Sequence, residues 1–339
     1  MHIKKYKILI LIALVALIAC KKKAEYKPLM DIKAAKVDKW IRYDDLLSHI
    51  DSGNPGNSIQ KLKALYPEFS RIYFTQIIKD PGNPDTNWVN IFHSYDTSSV
   101  IRALRDTIGH QLGDLSAQES LFSNAFARLQ KLLPGHKTPQ VYTAITGFMA
   151  GAAVISDTSL LLSPEMYLGS GHYYYDPQKW PMYIQRTMNK DNMATNLLKS
   201  YIRFNILPQQ DPKDLLGYMI REGKEAWLMY QIIPAEMDTL VYDYSKKQLD
   251  FCRSDEKEIW AYFIKENLVY ETNLRKIGKY VNPSPNVPGM PPDAPGRVAA
   301  YTGFKIVQSY LERYPEEDLT KFLQNTNAKG IFMKSKYKP

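Results

Sequence analysis

The sequence predicts a mainly helical α+β protein in which a small antiparallel β-meander packs against helices. Apolar residues recur at three- and four-residue spacing before residue 135 and again after residue 180, which is typical of helices buried on one face. Residues 141–162 are instead rich in β-branched and aliphatic side chains and are interrupted by turn-forming residues. The chain has 339 residues, of which 45% are apolar and 23% charged, and this average composition suits one large core.

The first nineteen residues predict an export signal. Lysines at positions 4, 5 and 7 precede a twelve-residue apolar run that ends at Cys20. As a helix this run rises about 18 Å, less than the roughly 30 Å of a bilayer core. Its ending, Leu-Ile-Ala-Cys, resembles the bacterial lipobox, in which the cysteine receives the lipid and becomes the new N-terminus. A short membrane anchor with an incidental cysteine is the alternative.

This signal predicts three parts of the chain: a signal peptide (1–19), a lipid-anchored tether (20–36) and a single globular unit (37–339). Removal of three lysines lowers the formal net charge from +9 to +6, which is too weak a surplus to indicate nucleic-acid binding. Lysines 21–23 would lie against anionic headgroups. Because no acidic residue directly follows the cysteine, we expect the body to face the periplasm, at the inner membrane or the inner leaflet of the outer membrane.

The N-terminal part of the unit, residues 37–135, is predicted to be helical after an extended segment around Trp40. The predicted helices cover residues 59–78, 94–108 and 116–133. Ser116 is the expected N-cap of the third helix, with Glu119 completing a capping box, and Pro134-Gly135 ends it.

The remaining part, residues 136–339, is predicted to hold the meander and further helices. The three strands of the meander are expected near residues 141–146, 153–155 and 160–162. Later helices are expected over residues 181–204, 211–233, from 254 onward, 298–313 and 316–324, with Asp211 as the cap before Pro212. Six prolines between residues 283 and 295 predict an extended loop, and residues 334–339 form a basic tail.

Common catalytic and cofactor motifs are absent from the sequence. It contains neither a phosphate-binding glycine loop, nor a GxSxG elbow, nor a CxxC pair, and its six histidines are scattered. Cys252 is the only other cysteine and is expected to be buried. The sequence therefore predicts no cofactor and no metal site of a familiar kind.

One arrangement does resemble a metallopeptidase of the gluzincin type, where HExxH on one helix and a glutamate on the next bind zinc. Asn192, Met193 and Asn196 occupy the corresponding helix here, and Glu222 follows on the next. Amides bind zinc poorly and methionine cannot act as a general base. The sequence thus predicts either a zincin-like fold with a degenerate metal site or ordinary packed helices, and in both cases no hydrolysis.

An aromatic segment gives a second candidate site. Tyr173, Tyr174 and Tyr175 follow His172, and Trp180 comes shortly after. These side chains would form a binding platform for glycan or peptide, or else pack a loop onto the core.

Several segments together resemble the gliding-motility lipoprotein GldB family of Bacteroidetes-type bacteria. The matching segments are the lipobox, residues 37–42, 65–69, 166–169, 215–220 with 223–224, 258–263, 295–297, 303 with 306–307, and 335–339. One departure is Ser163-Pro164-Glu165, where the family pattern has a leucine and an aspartate, so that Glu165 is the candidate replacement.

The resemblance implies a non-catalytic envelope lipoprotein linked to gliding and to the type IX secretion apparatus, with partners in that machinery and no nucleic acid. Two alternatives remain open at this point. One is an active zinc-type envelope metallopeptidase, and the other is a periplasmic lipoprotein that binds glycan or peptide.

Overall fold

The computed structural model describes residues 29–51, 53–79 and 86–339. The predicted signal peptide and Cys20 lie outside the described residues. The described residues form four strands: β1 (Ile41–Arg42), β2 (Gln140–Thr143), β3 (Ala152–Ser156) and β4 (Ser159–Leu162). The helices before the sheet's hairpin are α1 (Tyr43–Ser48), α2 (Pro55–Leu65), α3 (Pro67–Ile72), α4 (Trp88–Asp96), α5 (Ser99–Leu112) and α6 (Ser116–Leu132).

The later helices carry most of the core. They are α7 (Met182–Gln185), α8 (Asn192–Tyr201), α9 (Leu215–Ile232), α10 (Asp238–Tyr242), α11 (Lys246–Ser254), α12 (Glu256–Lys265), α13 (Leu274–Val281), α14 (Val298–Arg313), α15 (Leu319–Gln324) and α16 (Ala328–Ser335). Helices α3 and α8 continue into π-helical turns, Tyr73–Ile77 and Ile202–Ile206, and short 3₁₀ turns cover Pro164–Tyr167 and Ala235–Met237. The predicted mainly helical α+β class is confirmed.

The sheet is mixed, so the prediction of an antiparallel meander is wrong in how the strands pair. The strand order is β1-β2-β4-β3: β1 pairs parallel with β2, β2 pairs parallel with β4, and β3 and β4 form an antiparallel hairpin. Strand β4 is buried along its whole length, whereas β3 is half-buried throughout. A strand with apolar residues on both faces is stable only between two covering layers, which places β4 inside the sheet and β3 at its edge.

The sheet separates two hydrophobic clusters. Leu160 and Leu162 face the larger cluster, which is built mainly from α5, α6, α8, α9 and α14. Leu161 points to the opposite face and packs in a smaller cluster with side chains from α1 to α4. The alternation of strand side chains thus joins the two helical layers through one strand.

The N-terminal helices follow the prediction with three differences. The helix expected at 59–78 is interrupted at Pro67, which begins α3 because proline suits a first helical turn. The helix expected at 94–108 is divided, since Ser98 caps a new helix by accepting from the backbone N–H of Ile101. The prediction of a capping box at Ser116 is wrong. The side chain of Glu119 instead accepts a hydrogen bond from the backbone N–H of Trp40 at 3.0 Å and forms an ion pair with Lys39 at 2.7 Å.

The start of α9 also differs from the prediction. Asp214 caps this helix by accepting from the backbone N–H of Gly217 at 2.8 Å, so the helix begins at Leu215. Asp211, the predicted cap, instead forms an ion pair with Arg221 at 3.1 Å. Residues 283–295 form the expected loop without helix or strand.

The described part of the predicted tether lies against the body. The guanidinium of Arg128 donates to the carbonyl of Ile32 at 3.1 Å, and the backbone N–H of Ala34 donates to Asn124 at 2.9 Å. Residues 32 and 34 therefore pack against α6.

Helices α9 and α14 cross in direct backbone contact. A Cβ atom on Gly303 would overlap the carbonyl group of Met219, and one on Gly223 would overlap the backbone of Gly303. Glycine at both positions permits this approach, as it does wherever two backbones meet without room for a side chain. The crossing fixes α14 and the residue before it, Arg297, against α9.

Candidate functional site

The candidate site is built on α8 and its π-helical extension. Asn192, Asn196, Lys199 and Arg203 follow one another at spacings of four, three and four residues, which places them along one side of the helix. Met193 lies on another side and is fully buried in the main core. The polar side of α8 therefore meets α9 and the loops around Asp243.

Three cations and three carboxylates form an ion network at this meeting. Its centre is Arg297, whose guanidinium donates to Glu222 at 2.6 Å and to Asp243 at 3.1 Å. Lys199 donates to the other oxygen of Asp243 at 2.6 Å. All four side chains are largely buried.

Arg203 extends the network towards solvent. Its side chain is 50% exposed, lies 3.9 Å from Glu222 and donates to Glu225 at 2.8 Å. The side chain of Glu225 is 3% exposed, so this ion pair is buried on the glutamate side and half-exposed on the arginine side. We use the name ion network for Lys199, Arg203, Glu222, Glu225, Asp243 and Arg297.

Electrostatics within the network favour the charged forms of the acids. Burial alone would raise the pKa of Glu222, but Arg297 and Arg203 outweigh it and hold that pKa below its usual value. The pKa of Asp243 is lowered in the same way, because Lys199 and Arg297 outweigh the effect of burial. For Lys199, burial dominates and lowers the pKa of the ammonium despite the neighbouring Asp243.

Two cavities adjoin the ion network and form what we call the α8–α9 cleft. One has a volume of about 330 Å³ and lies between the start of β3, Tyr167, Trp180 and Asn196. The other, of about 380 Å³, lies between Glu222, Glu225 and the segment 207–211. Arg203, Pro283 and Arg297 line both, so the proline-rich loop forms a shared wall. A space of this size with aromatic and charged walls suits a polar ligand.

The predicted metal positions do not form a zinc-binding set. Asn192 is buried, and Asn196 donates to the hydroxyl of Tyr167 at 3.2 Å. Glu222 is engaged by two arginines. Within residues 29–51, 53–79 and 86–339, no group of three His, Cys, Asp or Glu side chains is placed to hold a metal ion. The donors present, two amides and an ion-paired carboxylate, do not fit zinc.

The predicted aromatic surface is divided between three environments. Tyr173 is 76% exposed and stacks on His172, and Tyr174 is half-buried beside it. Tyr175 is buried, where its hydroxyl donates to the carbonyl of Glu165 at 2.9 Å. Trp180 lines the α8–α9 cleft, so the structure brings it into one site with Asn196.

Glu165 supports the wall of the cleft that carries Trp180. One of its oxygens accepts from the backbone N–H groups of Thr146 at 2.6 Å and Phe148 at 3.2 Å, and its other oxygen is buried without a hydrogen-bond partner among the described residues. Phe148 has a φ of 65° and packs against Trp180, with 5.6 Å between ring centroids. Burial raises the pKa of Glu165.

Sequence reasoning missed Lys199, Arg203, Asp243 and Arg297. The two helical cations carried a signal, since they continue the spacing of Asn192 and Asn196. Asp243 and Arg297 carried none, because both lie outside the predicted helices and reach the site through tertiary folding. Both have left-handed backbone conformations, with φ of 62° and 60°.

These features define a class: a mainly helical α+β protein in which buried ion pairs organise the α8–α9 cleft. Within the described ranges, no helix has the length and hydrophobicity needed to cross a bilayer.

The family follows from comparison with known sequences. The family model described as gliding motility protein GldB matches residues 25–339, and the chain belongs to this family. Membership implies a gliding-motility-associated lipoprotein. No curated protein and no solved structure shows significant similarity to the chain.

Proposed function

We propose that this protein is a non-catalytic lipoprotein of the gliding and type IX secretion machinery, anchored through Cys20 and facing the periplasm. Family membership over residues 25–339 supports the association with gliding. The observation that carries the non-catalytic role is the state of Glu222: the position expected for a third zinc ligand holds Arg297 at 2.6 Å. A carboxylate paired in this way is a structural anchor, and its charge is already neutralised.

Metal analysis of the purified protein tests the non-catalytic role. After incubation with zinc and removal of excess metal, we expect substoichiometric zinc in the wild type and no change in Glu222→Gln. Glu68→Gln, an exposed glutamate on α3, is the matched control. Stoichiometric zinc that is lost in Glu222→Gln but not in Glu68→Gln would replace the proposal with the metallopeptidase alternative.

The lipid anchor requires a separate test. Cys20→Ser should abolish incorporation of a radiolabelled fatty acid and release the protein from the membrane fraction, whereas Cys252→Ser should leave both unchanged. Cys252 is buried in the core and is therefore a control thiol. Membrane retention and labelling of Cys20→Ser would contradict the anchor.

Association with the gliding and secretion machinery is tested by crosslinking in cells. Tagged protein should crosslink to envelope components of that machinery, and deletion should impair surface translocation or secretion through the type IX route. Recovery of cytosolic proteins alone would contradict this assignment.

A second candidate function, binding of glycan or peptide, is favoured by the wall of the α8–α9 cleft formed by Tyr167, Trp180 and Asn196. An aromatic ring beside amide and guanidinium groups is suited to sugars and to extended peptides. Trp180→Ala should weaken the binding of solubilised peptidoglycan fragments at least fivefold. Tyr173→Ala is the control, because Tyr173 lies outside the cleft. Equal retention of both variants and the wild type would remove this candidate.

A further inference from the structure

Helix α9 also borders a third cavity, which adjoins the α8–α9 cleft at Pro208, Asp211 and Arg221. It has a volume of about 330 Å³ and lies between the first turns of α9, the segment 208–214 and residues 325–329. Lys224 lies in its wall, and we call it the Lys224 cavity. Its size falls at the lower end of the range for small-molecule sites, roughly 300–1,000 Å³.

Lys224 is a buried cation without a carboxylate partner among the described residues. The side chain is 2% exposed. Its ammonium donates to the backbone carbonyls of Leu323 at 3.0 Å and Asn325 at 2.7 Å, and it lies 5.0 Å from the ring centroid of Phe322. These contacts use two of the three N–H groups and bring no formal negative charge. Burial lowers the pKa of Lys224 to about 7.

The charged side chains that line the cavity give it a net positive charge. Its two carboxylates are already engaged, Asp211 with Arg221 at 3.1 Å and Asp214 with the backbone N–H of Gly217 at 2.8 Å. Lys213 and Lys329 are exposed at the mouth, and neither has an ion-pair partner in the described part of the chain. Four cations against two carboxylates give a formal charge of +2 when Lys224 is protonated.

We infer that the Lys224 cavity binds a phosphate group, with Lys224 as the buried contact and Lys213 and Lys329 closing over it from the mouth. A phosphate dianion matches the surplus charge, and an ammonium is a suitable point-charge partner for it. The phosphate group occurs as a dianion in free phosphate or a phosphomonoester, and as a singly charged diester in lipid headgroups. This inference concerns a site other than the α8–α9 cleft and does not depend on the function proposed above.

Calorimetric titration of the purified lipidated protein in nonionic detergent tests the inference. Inorganic phosphate represents the free anion, and glycerophosphoglycerol represents a lipid headgroup. We expect saturable binding of inorganic phosphate at constant ionic strength. Lys213→Ala/Lys329→Ala, which changes only exposed side chains, should weaken this binding about tenfold. The matched control is Lys257→Ala/Lys265→Ala, which removes the same charge from exposed positions on α12.

A readout at Lys224 itself separates a binding role from a structural one. A bound phosphate keeps the ammonium protonated, so it should slow acetylation of Lys224 by acetic anhydride, measured by mass spectrometry, without slowing that of Lys257. A lysine that served only to hold residues 323–325 would be acetylated at the same rate with and without phosphate. Lys224→Met should abolish phosphate binding. If Lys224→Met does not fold, phosphate binding by Lys213→Ala/Lys329→Ala and the acetylation rate of Lys224 in the wild type still test the inference.

Each outcome has a defined meaning. Binding of glycerophosphoglycerol alone, lost in Lys213→Ala/Lys329→Ala, supports a phosphate site and assigns its source to a lipid headgroup. Binding of neither probe overturns the inference. Phosphate binding that weakens as much in Lys257→Ala/Lys265→Ala as in Lys213→Ala/Lys329→Ala also overturns the inference. Phosphate binding that does not slow the acetylation of Lys224 overturns it as well.

Discussion

Helix α9 carries buried charges on two sides, and the protein treats them in opposite ways. On one side, Glu222 and Glu225 meet arginines within hydrogen-bond distance. On the other side, Lys224 meets only carbonyl groups and an aromatic ring among the described residues. Two sides of the same helical turn thus hold a neutralised network and an isolated cation.

The difference separates charges that neutralise one another from a charge that has no carboxylate partner among the described residues and that we propose contacts a ligand. A buried ion pair contributes little net stability but is costly to break, since removing one partner leaves the other charge unpaired. An isolated buried ammonium already carries that cost in the native state. Removing a cation from the network should therefore destabilise the protein, whereas removing Lys224 should not.

The largest expected effect comes from Arg297→Ala. This change leaves Glu222 and Asp243 buried without their shared partner, so the free energy of unfolding should fall by about 3–5 kcal/mol. Urea denaturation followed by circular dichroism measures it. Arg102→Ala, an exposed arginine on α5, is the control and should change stability by less than about 0.5 kcal/mol. A loss below about 1 kcal/mol for Arg297→Ala would show that the network is not a structural anchor.

Arg203→Ala should have a smaller effect than Arg297→Ala. Its guanidinium is half-exposed, which screens its attraction to the acids, but Glu225 then loses its cation. We expect a loss of about 2 kcal/mol, measured under the same denaturation conditions. Arg203→Lys should recover part of this stability, because an ammonium restores the charge without the two-point contact. A loss of stability as large as that caused by Arg297→Ala would contradict the argument that exposure to solvent weakens the attraction between Arg203 and the acids.

Lys224→Met should increase stability by about 1 kcal/mol at pH 6, since it removes a buried cation and retains much of the side-chain volume. The gain should depend on pH. The pKa of Lys224 is 10.5 in the unfolded chain and about 7 in the folded protein, so the unfolded state binds the extra proton between these values. Wild-type stability should therefore rise relative to the variant from pH 7 towards pH 10. A stability difference between wild type and variant that stays constant from pH 7 to pH 10 would contradict a lowered pKa of Lys224 in the folded protein.

Glu165→Gln should have the smallest effect, within about 0.5 kcal/mol at pH 4, because glutamine resembles the protonated carboxyl group. Folding raises the pKa of Glu165 above 4.5. The folded state thus holds the proton more tightly, and the wild type should lose stability relative to the variant as the pH rises from 4.5 through the folded-state pKa. Parallel denaturation curves at pH 4 and pH 7 measure the change. Identical differences at both pH values would show that Glu165 is ionised at each.

The local patterns of the sequence predicted helices better than strand pairing. The bounds expected for α6 and α14, 116–133 and 298–313, agree with the structure to within one residue. Strand β1 has two residues, too few for a periodic pattern, and the pairing of β2 with β4 depends on contacts across the whole sheet. Apolar Leu160–Leu162 carried the relevant signal, because a strand buried on both faces belongs inside a sheet.

The candidate site was predictable only in part for the same reason. Asn196, Glu222 and Trp180 were selected from the sequence for separate hypotheses, and the structure places them around one cleft. Arg297 joins Glu222 across 75 residues, through the glycine-to-glycine crossing of α9 and α14. A contact of this kind follows from tertiary packing and has no local sequence signature.

The buried thiol of Cys252 makes the protein convenient for spectroscopy. The side chain is fully enclosed in the core, and burial raises its pKa well above the usual value, so it forms little thiolate at neutral pH. A cysteine introduced at an exposed position such as Lys213 should then react with a maleimide dye while Cys252 stays unlabelled. Fluorophores and spin labels can thus be attached at chosen points of the native fold.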